Sequence, residues 1–286
     1  MKKLVLFVTL LLLCFSGYGV EKNDVRYEEK DVENFEAVMQ LLEGDADLPM
    51  NETIVKVAKH FLGTPYVSGT LDKYDTEKLT VNTRETDCIL FVEMCLAMSL
   101  TSKDANPTFD KYIENLKNLR YRNGKVDGYT SRLHYTSEWI SQGSRSGVFH
   151  EISREIGGTP LAQHFFFMST HPGSYRQLKE NPSLLKDIRL TEKTLEIGKY
   201  FYLPKSQIDA NASKIFDGDI LCLSCNIEGL DITHVVLAYH KPDGTLSFIH
   251  ASSSKKKVVI EEKSLAEYTV SSKIINGIRV LRLDNR

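Results

Sequence analysis

Thr86-Asp87-Cys88-Ile89-Leu90-Phe91-Val92-Glu93-Met94-Cys95-Leu96-Ala97-Met98 decides how the rest of this chain is read. Two capping residues, Thr86 and Asp87, precede a run whose apolar positions go almost all the way round, which predicts a helix buried in the middle of a domain. Cys88 falls in the first turn of that helix. A thiol there meets unpaired backbone N–H groups and the positive end of the helix dipole, both of which favour the thiolate. The same position also suits a small buried hydrophobe, so the helix alone leaves the choice open; Cys95, two turns on, reads as core.

Toward the C-terminus the texture changes at Asp219. Short β-rich runs follow, Ile220 to Leu223, His234 to Tyr239, Leu246 to Ile249, Val258 to Ile260 and Ile278 to Leu283, separated by turn residues. Helices first and an antiparallel sheet afterwards predict an α+β fold. A nucleophilic cysteine needs a base, and His234 opens one of these strands at a sheet edge, where a side chain can face a cleft. His250 ends the next strand. If Pro242-Asp243-Gly244 is a three-residue loop with Gly244 left-handed, Lys241 faces Thr245 and His250 faces Val236, on the same face as His234. A two-residue loop would put the two histidines on opposite faces, and both could equally serve only as strand ends.

Toward the N-terminus, Asn51 reads as the cap of a helix running through Phe61 and stopped by Gly63 and Pro65. Residues 20–50 form an N-terminal helical segment, with Phe35, Val38, Met39, Leu41 and Leu42 at roughly helical spacing. Before them, Met1-Lys2-Lys3, the apolar run Leu4 to Phe15 and Ser16-Gly17-Tyr18-Gly19 match a secretory signal cleaved before Val20. The run is too short to span a bilayer, and the mature chain is expected to be exported, in the periplasm. Lipid anchoring through Cys14 is the lesser alternative, because Cys14 follows Leu13 where a small residue is needed. The organisation is thus a signal at 1–19, the helical segment at 20–50, and one domain at 51–286 with a mixed insertion at about 100–215, in which a helical stretch runs near Phe109 to Asn118.

The formal net charge of -2 becomes more negative once Lys2 and Lys3 leave, so no basic excess exists to neutralise phosphates, and nucleic acid is not an expected partner. Without Cys14, the cysteines are Cys88, Cys95, Cys222 and Cys225, too few and too clustered for a disulfide framework. Cys222-Leu223-Ser224-Cys225 sits on or just after a strand with no second pair, which argues against zinc or redox use. His150-Glu151 lacks the second histidine of a zinc-protease helix, and His164 with His171 matches no metal geometry. Ser131-Arg132-Leu133-His134-Tyr135 with Trp139 gathers polar and aromatic groups that could hold a sugar face and a peptide.

Taken in order, Gly63-Thr64-Pro65-Tyr66, Asp87-Cys88 with Phe91-Val92-Glu93, Gly218-Asp219-Ile220, Thr233-His234-Val235 and Ile249-His250-Ala251-Ser252 resemble the motifs of the NlpC-type papain-like cell-wall hydrolases. Gly69-Thr70-Leu71, Ser131 to Tyr135 and Glu138-Trp139 resemble the N-acetylmuramoyl-L-alanine amidase-like branch, over about residues 50 to 283. The resemblance implies a papain-like core in which Cys88 attacks a carbonyl, His234 shuttles the proton and His250 orients His234, with no metal or organic cofactor. It implies as substrate the amide between the muramic acid lactyl group and L-alanine in small muropeptides, including anhydro-sugar forms. Tyr66, Asp87, Arg132, His134, Tyr135 and Trp139 are its candidate substrate contacts. Ile89 and Leu90, where small or hydroxylated residues are usual, and Val236, where glycine is usual, depart from the pattern at the pocket wall near the oxyanion. A γ-D-glutamyl–diamino acid endopeptidase and a non-catalytic wall-binding module are the alternatives.

Overall fold

The computed structural model describes residues 24–284, so the signal-sequence reading and Cys14 lie outside the described residues. Helix α1 (Glu29–Leu41) starts with a capping box between Glu28 and Asp31. Asp31 is fully buried, and its Oδ1 also accepts the N–H and the hydroxyl of Thr83, each at 2.8 Å. That carboxylate ties the N-terminal segment to the loop leading into Cys88. A short parallel pairing of β1 (Val25–Arg26) with β2 (Leu79–Thr80) adds a second tie.

Helix α2 (Met50–His60) corrects the expected cap. It begins at Met50 with Pro49 in the cap position, and the Asn51 side chain donates instead to the Asp217 carbonyl. Proline suits a helix start because the chain needs no N–H donor there. Asn51 explains Gly218 as well: a Cβ at Gly218 would strike the Asn51 backbone, so α2 can approach the start of the sheet only over a glycine.

Helix α3 (Cys88–Thr101) carries the deciding stretch, capped by Asp87, whose side chain accepts the Leu90 N–H at 3.0 Å. From Leu90 to Ser99 every residue is buried, as expected of a helix apolar all round. α2, α4 (Phe109–Arg120) and the sheet cover it on different sides. Its one buried charge, Glu93, meets Arg120 Nε at 2.7 Å.

The main sheet runs in the order β4 (Thr159–Leu161), β5 (Tyr200–Pro204), β10 (Ile275–Leu283), β6 (Ile220–Cys225), β7 (Ile232–His240), β8 (Leu246–Ser252), β9 (Lys257–Ile260), and β3 (Phe149–Glu151) also pairs with β10. All these pairings are antiparallel. The fold is therefore α+β, as expected. Alternation along the strands sends Cys222, Val235, Leu237, Ile249 and Ala251 into the helix-covered core. Leu221, Leu223, Val236, Phe248 and Val280 enter a second core under α9 (Leu265–Ser271).

Residues 100–215 are woven into this body. Tyr112, Leu116, Tyr121, Trp139 and Ile140 belong to the main core, and β3 and β5 extend the sheet along β10. A third, smaller core holds Tyr129, Tyr135, Phe165, Met168, Leu178, Ile188 and Leu195, beneath α5 (Thr136–Arg145), α6 (Phe167–Thr170), α7 (Arg176–Glu180) and α8 (Leu185–Leu195).

Candidate active site

The β7–β8 hairpin has the three-residue loop that places the histidines together. The Lys241 N–H donates to the Thr245 carbonyl, and Gly244 is left-handed with φ of 82°. The register pairs Leu237 with Ile249, and continuing it puts His250 opposite Val236. His234 and His250 share a face, and His234 Nε2 lies 2.7 Å from His250 Nδ1. Their rings meet edge to face, and His250 packs in turn against Phe248.

Backbone alternation explains how the helix start reaches this pair. In β7 the even-numbered Ala238 donates to Asp219 beside β6, while the odd-numbered Lys241 donates toward β8. Val235 is odd and so points toward β8, but the paired register of β7 with β8 stops at Leu237. Its N–H is turned to the Cys88 sulfur, which also has the N–H groups of Ile89 and of Cys88 itself around it. The sulfur thus sits beside the strand that carries His234. Among the described residues no hydrogen bond joins that sulfur to the His234 ring.

The electrostatics of the three groups run one way. Cys88 keeps part of its surface open, yet enough protein surrounds the sulfur that burial, followed by the charge of Asp87, pushes the thiol up to about 12. The three N–H groups pull in the opposite direction without overcoming burial. Burial, with His250 adding to it, lowers His234 to about 3, and burial and Lys255 lower His250 to about 4. At neutral pH the site rests as thiol beside neutral imidazoles, where the helix position alone had pointed to a thiolate.

Of the residues expected to touch substrate, Tyr66 and Asp87 are at the site. Tyr66 bridges to Thr86, and its hydroxyl is raised by burial and by Cys88 and Asp87 nearby. Asp87 caps the helix and is itself raised to about 6, chiefly by burial. Arg132 is bound up in the protein: Nε and Nη2 meet Glu77 at 3.1 and 2.7 Å, and Nη1 meets Asp72 at 2.8 Å. His134 is half-buried, with Nε2 against the Tyr129 carbonyl at 2.9 Å, and burial lowers it to about 3. Tyr135 and Trp139 are each 2% exposed. The Tyr135 hydroxyl donates to Glu192 in the third core, and Trp139 packs on Phe149 in the main core. The structure does not bring these two to the site; both fill hydrophobic interior, where large aromatic rings bury the most area. Cys222, Cys225 and Cys95 are buried free thiols away from any helix start.

A cleft of about 580 Å³ opens over the histidines, lined by Thr233, His234, His250, Lys255, Glu261 and Tyr268 among others. Cys88 lies outside its lining, on the Val235 side. A larger cavity of about 1040 Å³, lined by Arg122, Glu138, Glu151 and Arg279, contains none of the three reactive side chains. Size does not select the site here; the paired imidazoles do, on the strand whose Val235 N–H acts on the Cys88 sulfur. The sequence alone assigned no role to Val235, Tyr268 or Glu261. The first acts through its backbone, and Glu261 shows only as an acid ending the apolar run Val258-Val259-Ile260.

No curated protein matches the chain. An N-acetylmuramoyl-L-alanine amidase from Bacteroides uniformis ATCC 8492 is 35% identical, with a TM-score of 0.78 over 82% of this chain and 98% of that one. A provisionally named xylanase from Bacteroides fragilis is 38% identical, with a TM-score of 0.76 over 79% and 99%. A Legionella pneumophila protein, 21% identical with a TM-score of 0.63 over 90% and 97%, shares the fold alone. The model of the AmiA-like family, N-acetylmuramoyl-L-alanine amidase-like, matches residues 56–278. With the motif-bearing helix α3 and the β7–β8 hairpin inside that span, the chain belongs to the N-acetylmuramoyl-L-alanine amidase-like family.

Proposed function

We propose that the protein is a cysteine amidase of papain-like core that hydrolyses the amide between N-acetylmuramic acid, including its anhydro form, and L-alanine in peptidoglycan fragments. The observation that carries this reading is the 2.7 Å pair of His234 and His250, with His234 next to Val235, whose N–H acts on the Cys88 sulfur at a helix start. Family membership and the amidase from Bacteroides uniformis support the bond class. Export to the periplasm through the signal read at residues 1–19 would bring the enzyme to such fragments.

In this mechanism the Cys88 proton passes to His234 Nδ1 as the sulfur attacks the lactyl carbonyl. Hydrogen-bond contacts of this kind are commonly loose before substrate binds and tighten in the complex, in keeping with a resting thiol not yet bonded to His234. The carbonyl oxygen becomes an oxyanion facing the Cys88 N–H at the start of α3. The Val235 N–H offsets part of the burial that opposes charge on the sulfur. His234 then returns its proton to the departing L-alanyl nitrogen, leaving an acyl thioester. A water molecule, giving one proton to His234, attacks the thioester carbonyl; the C–S bond breaks, His234 returns that proton to the Cys88 sulfur, and the muramic acid carboxyl group is released and ionises in solvent. His250 holds the ring of His234 throughout.

The test is mass spectrometry of defined muropeptides, with and without the anhydro sugar, after incubation with the mature protein and with Cys88→Ala. Release of free L-alanyl peptide by the wild type only is the expected result. Cleavage after D-glutamate would move the scissile bond to that of an endopeptidase. Equal product from both proteins would remove Cys88 from the mechanism.

A further inference from the structure

We infer that Glu261 is a positioning residue of the site, a fourth member of a Cys88–His234–His250–Glu261 relay that sets which nitrogen of each imidazole carries the proton. This rests on the proposed roles of Cys88 and His234 and extends them by one residue.

His234 can take the thiol proton on Nδ1 only if that nitrogen is bare, so the proton of neutral His234 must sit on Nε2. Nε2 faces His250 Nδ1 at 2.7 Å, so His250 Nδ1 must accept and must itself be bare. The proton of neutral His250 is then on Nε2. With the tautomers reversed, His250 would donate from Nδ1, His234 Nε2 would accept, and His234 Nδ1–H would face the thiol as a second donor. No base would remain. Two imidazoles alone do not choose between these states, since each chain of bonds is internally satisfied.

Glu261 supplies the bias. Its Oε2 stands 3.5 Å from His250 Nε2, and an acceptor at that position favours the Nε2–H form. His250 is 1% exposed, and among the described residues Nε2 has no hydrogen-bond partner, a costly state for a buried polar atom. Glu261 is held for the task from the other side: its Oε1 accepts the N–H groups of Glu262 and Lys263 at 3.0 and 3.1 Å. Its own N–H donates to the Phe248 carbonyl, so the backbone at 261 is fixed to β8 two residues from His250. A shift of a few tenths of an ångström in one side chain brings the 3.5 Å separation into hydrogen-bonding range. The groups that face His250 are His234 from β7, Glu261 after β9, Lys255 from the β8–β9 turn and Tyr268 from α9.

Glu261→Gln keeps an acceptor without the charge, whereas Glu261→Ala leaves Nε2 with none. The expected result for Glu261→Ala is a loss in kcat of about 10- to 100-fold with KM unchanged, the size usual for a lost orienting partner. Glu261→Gln should recover most of that loss. Nitrogen-15 chemical shifts of the two histidines in the resting full-length mature protein should report Nε2–H on both in the wild type and in Glu261→Gln. Glu261→Ala should show a mixture, with melting temperature close to that of the wild type. Wild-type tautomers and undiminished kcat in Glu261→Ala would overturn the inference while leaving Cys88 and His234 in place. If Cys88→Ala retained activity, the underlying reading would fail instead, whatever the tautomers show. A kcat loss in both variants with unchanged tautomers would reduce Glu261 to packing and likewise overturn the inference.

Discussion

Buried ionisable groups occur in two contrasting settings in this protein. In the frame, each buried cation has its carboxylate: Arg120 with Glu93, Arg132 with Glu77 and Asp72, and Arg279 with Glu151 at 2.9 and 2.7 Å. These pairs tie α3 to α4, the loop after Gly69 to the segment before α5, and β10 to β3. At the site the reacting thiol and the two imidazoles are instead held neutral. Cys88 is raised, His234 and His250 are lowered, and the nearest carboxylate to His250 stops at 3.5 Å. Charge in the frame is compensated once and for all; at the site it is withheld until a reaction creates it.

The comparison can be broken first by activity. His234→Ala should reduce turnover of the muropeptide amide by on the order of 10⁴-fold or more, because removing one member of a catalytic set removes the function of the set. Its melting temperature should move little, and a large loss of stability would place His234 in the frame. Glu93→Ala should do the reverse, costing about 3–5 kcal/mol in denaturant unfolding by leaving Arg120 buried and uncompensated.

Acid should separate the settings next. His134, His234 and His250 are all lowered in the folded state, to about 3, 3 and 4. Below the unfolded value of about 6.5, the unfolded chain binds more protons than the folded one, so stability falls as pH drops from there toward the folded values. Asp87, raised to about 6, acts with opposite sign and softens the fall, since its penalty is relieved as it protonates. Calorimetric melting temperatures between pH 7 and pH 4 should decline, and a flat profile would mean the histidines are not held neutral. The smallest expected change is electrostatic. Asp87→Asn keeps a cap oxygen but removes the charge that raises Cys88, so the midpoint of thiol alkylation against pH should drop by on the order of one unit. An unchanged or higher midpoint would show that Asp87 does not act on the thiol.

The central β-strands and the deciding helix were legible because each is strongly patterned: α3 is apolar on every side, and β6 to β8 have the apolar runs of a buried sheet. The hairpin loop was legible too, since Pro242-Asp243-Gly244 allows a left-handed third residue. Strands β3 and β4 were not, being three residues each, with Pro160 inside the second; they exist because β10 and β5 offer edges to pair with. Trp139 and Tyr135 read as surface recognition groups because composition cannot tell an aromatic that binds from one that packs. Burial separates them, and burial depends on chain segments far away in sequence.

What the sequence determined by itself is the chemistry available: one thiol at a helix start, two histidines whose loop length puts them on one face, and the order of motifs that marks the family. Local geometry suffices for these, because helix caps and hairpin registers are set within a few residues. Only the tertiary structure decided the protonation states and the partners. The resting thiol, the neutral imidazoles and the approach of Glu261 to His250 arise from desolvation and from the meeting of α3, β7, β8 and the end of β9, which no local stretch of sequence contains.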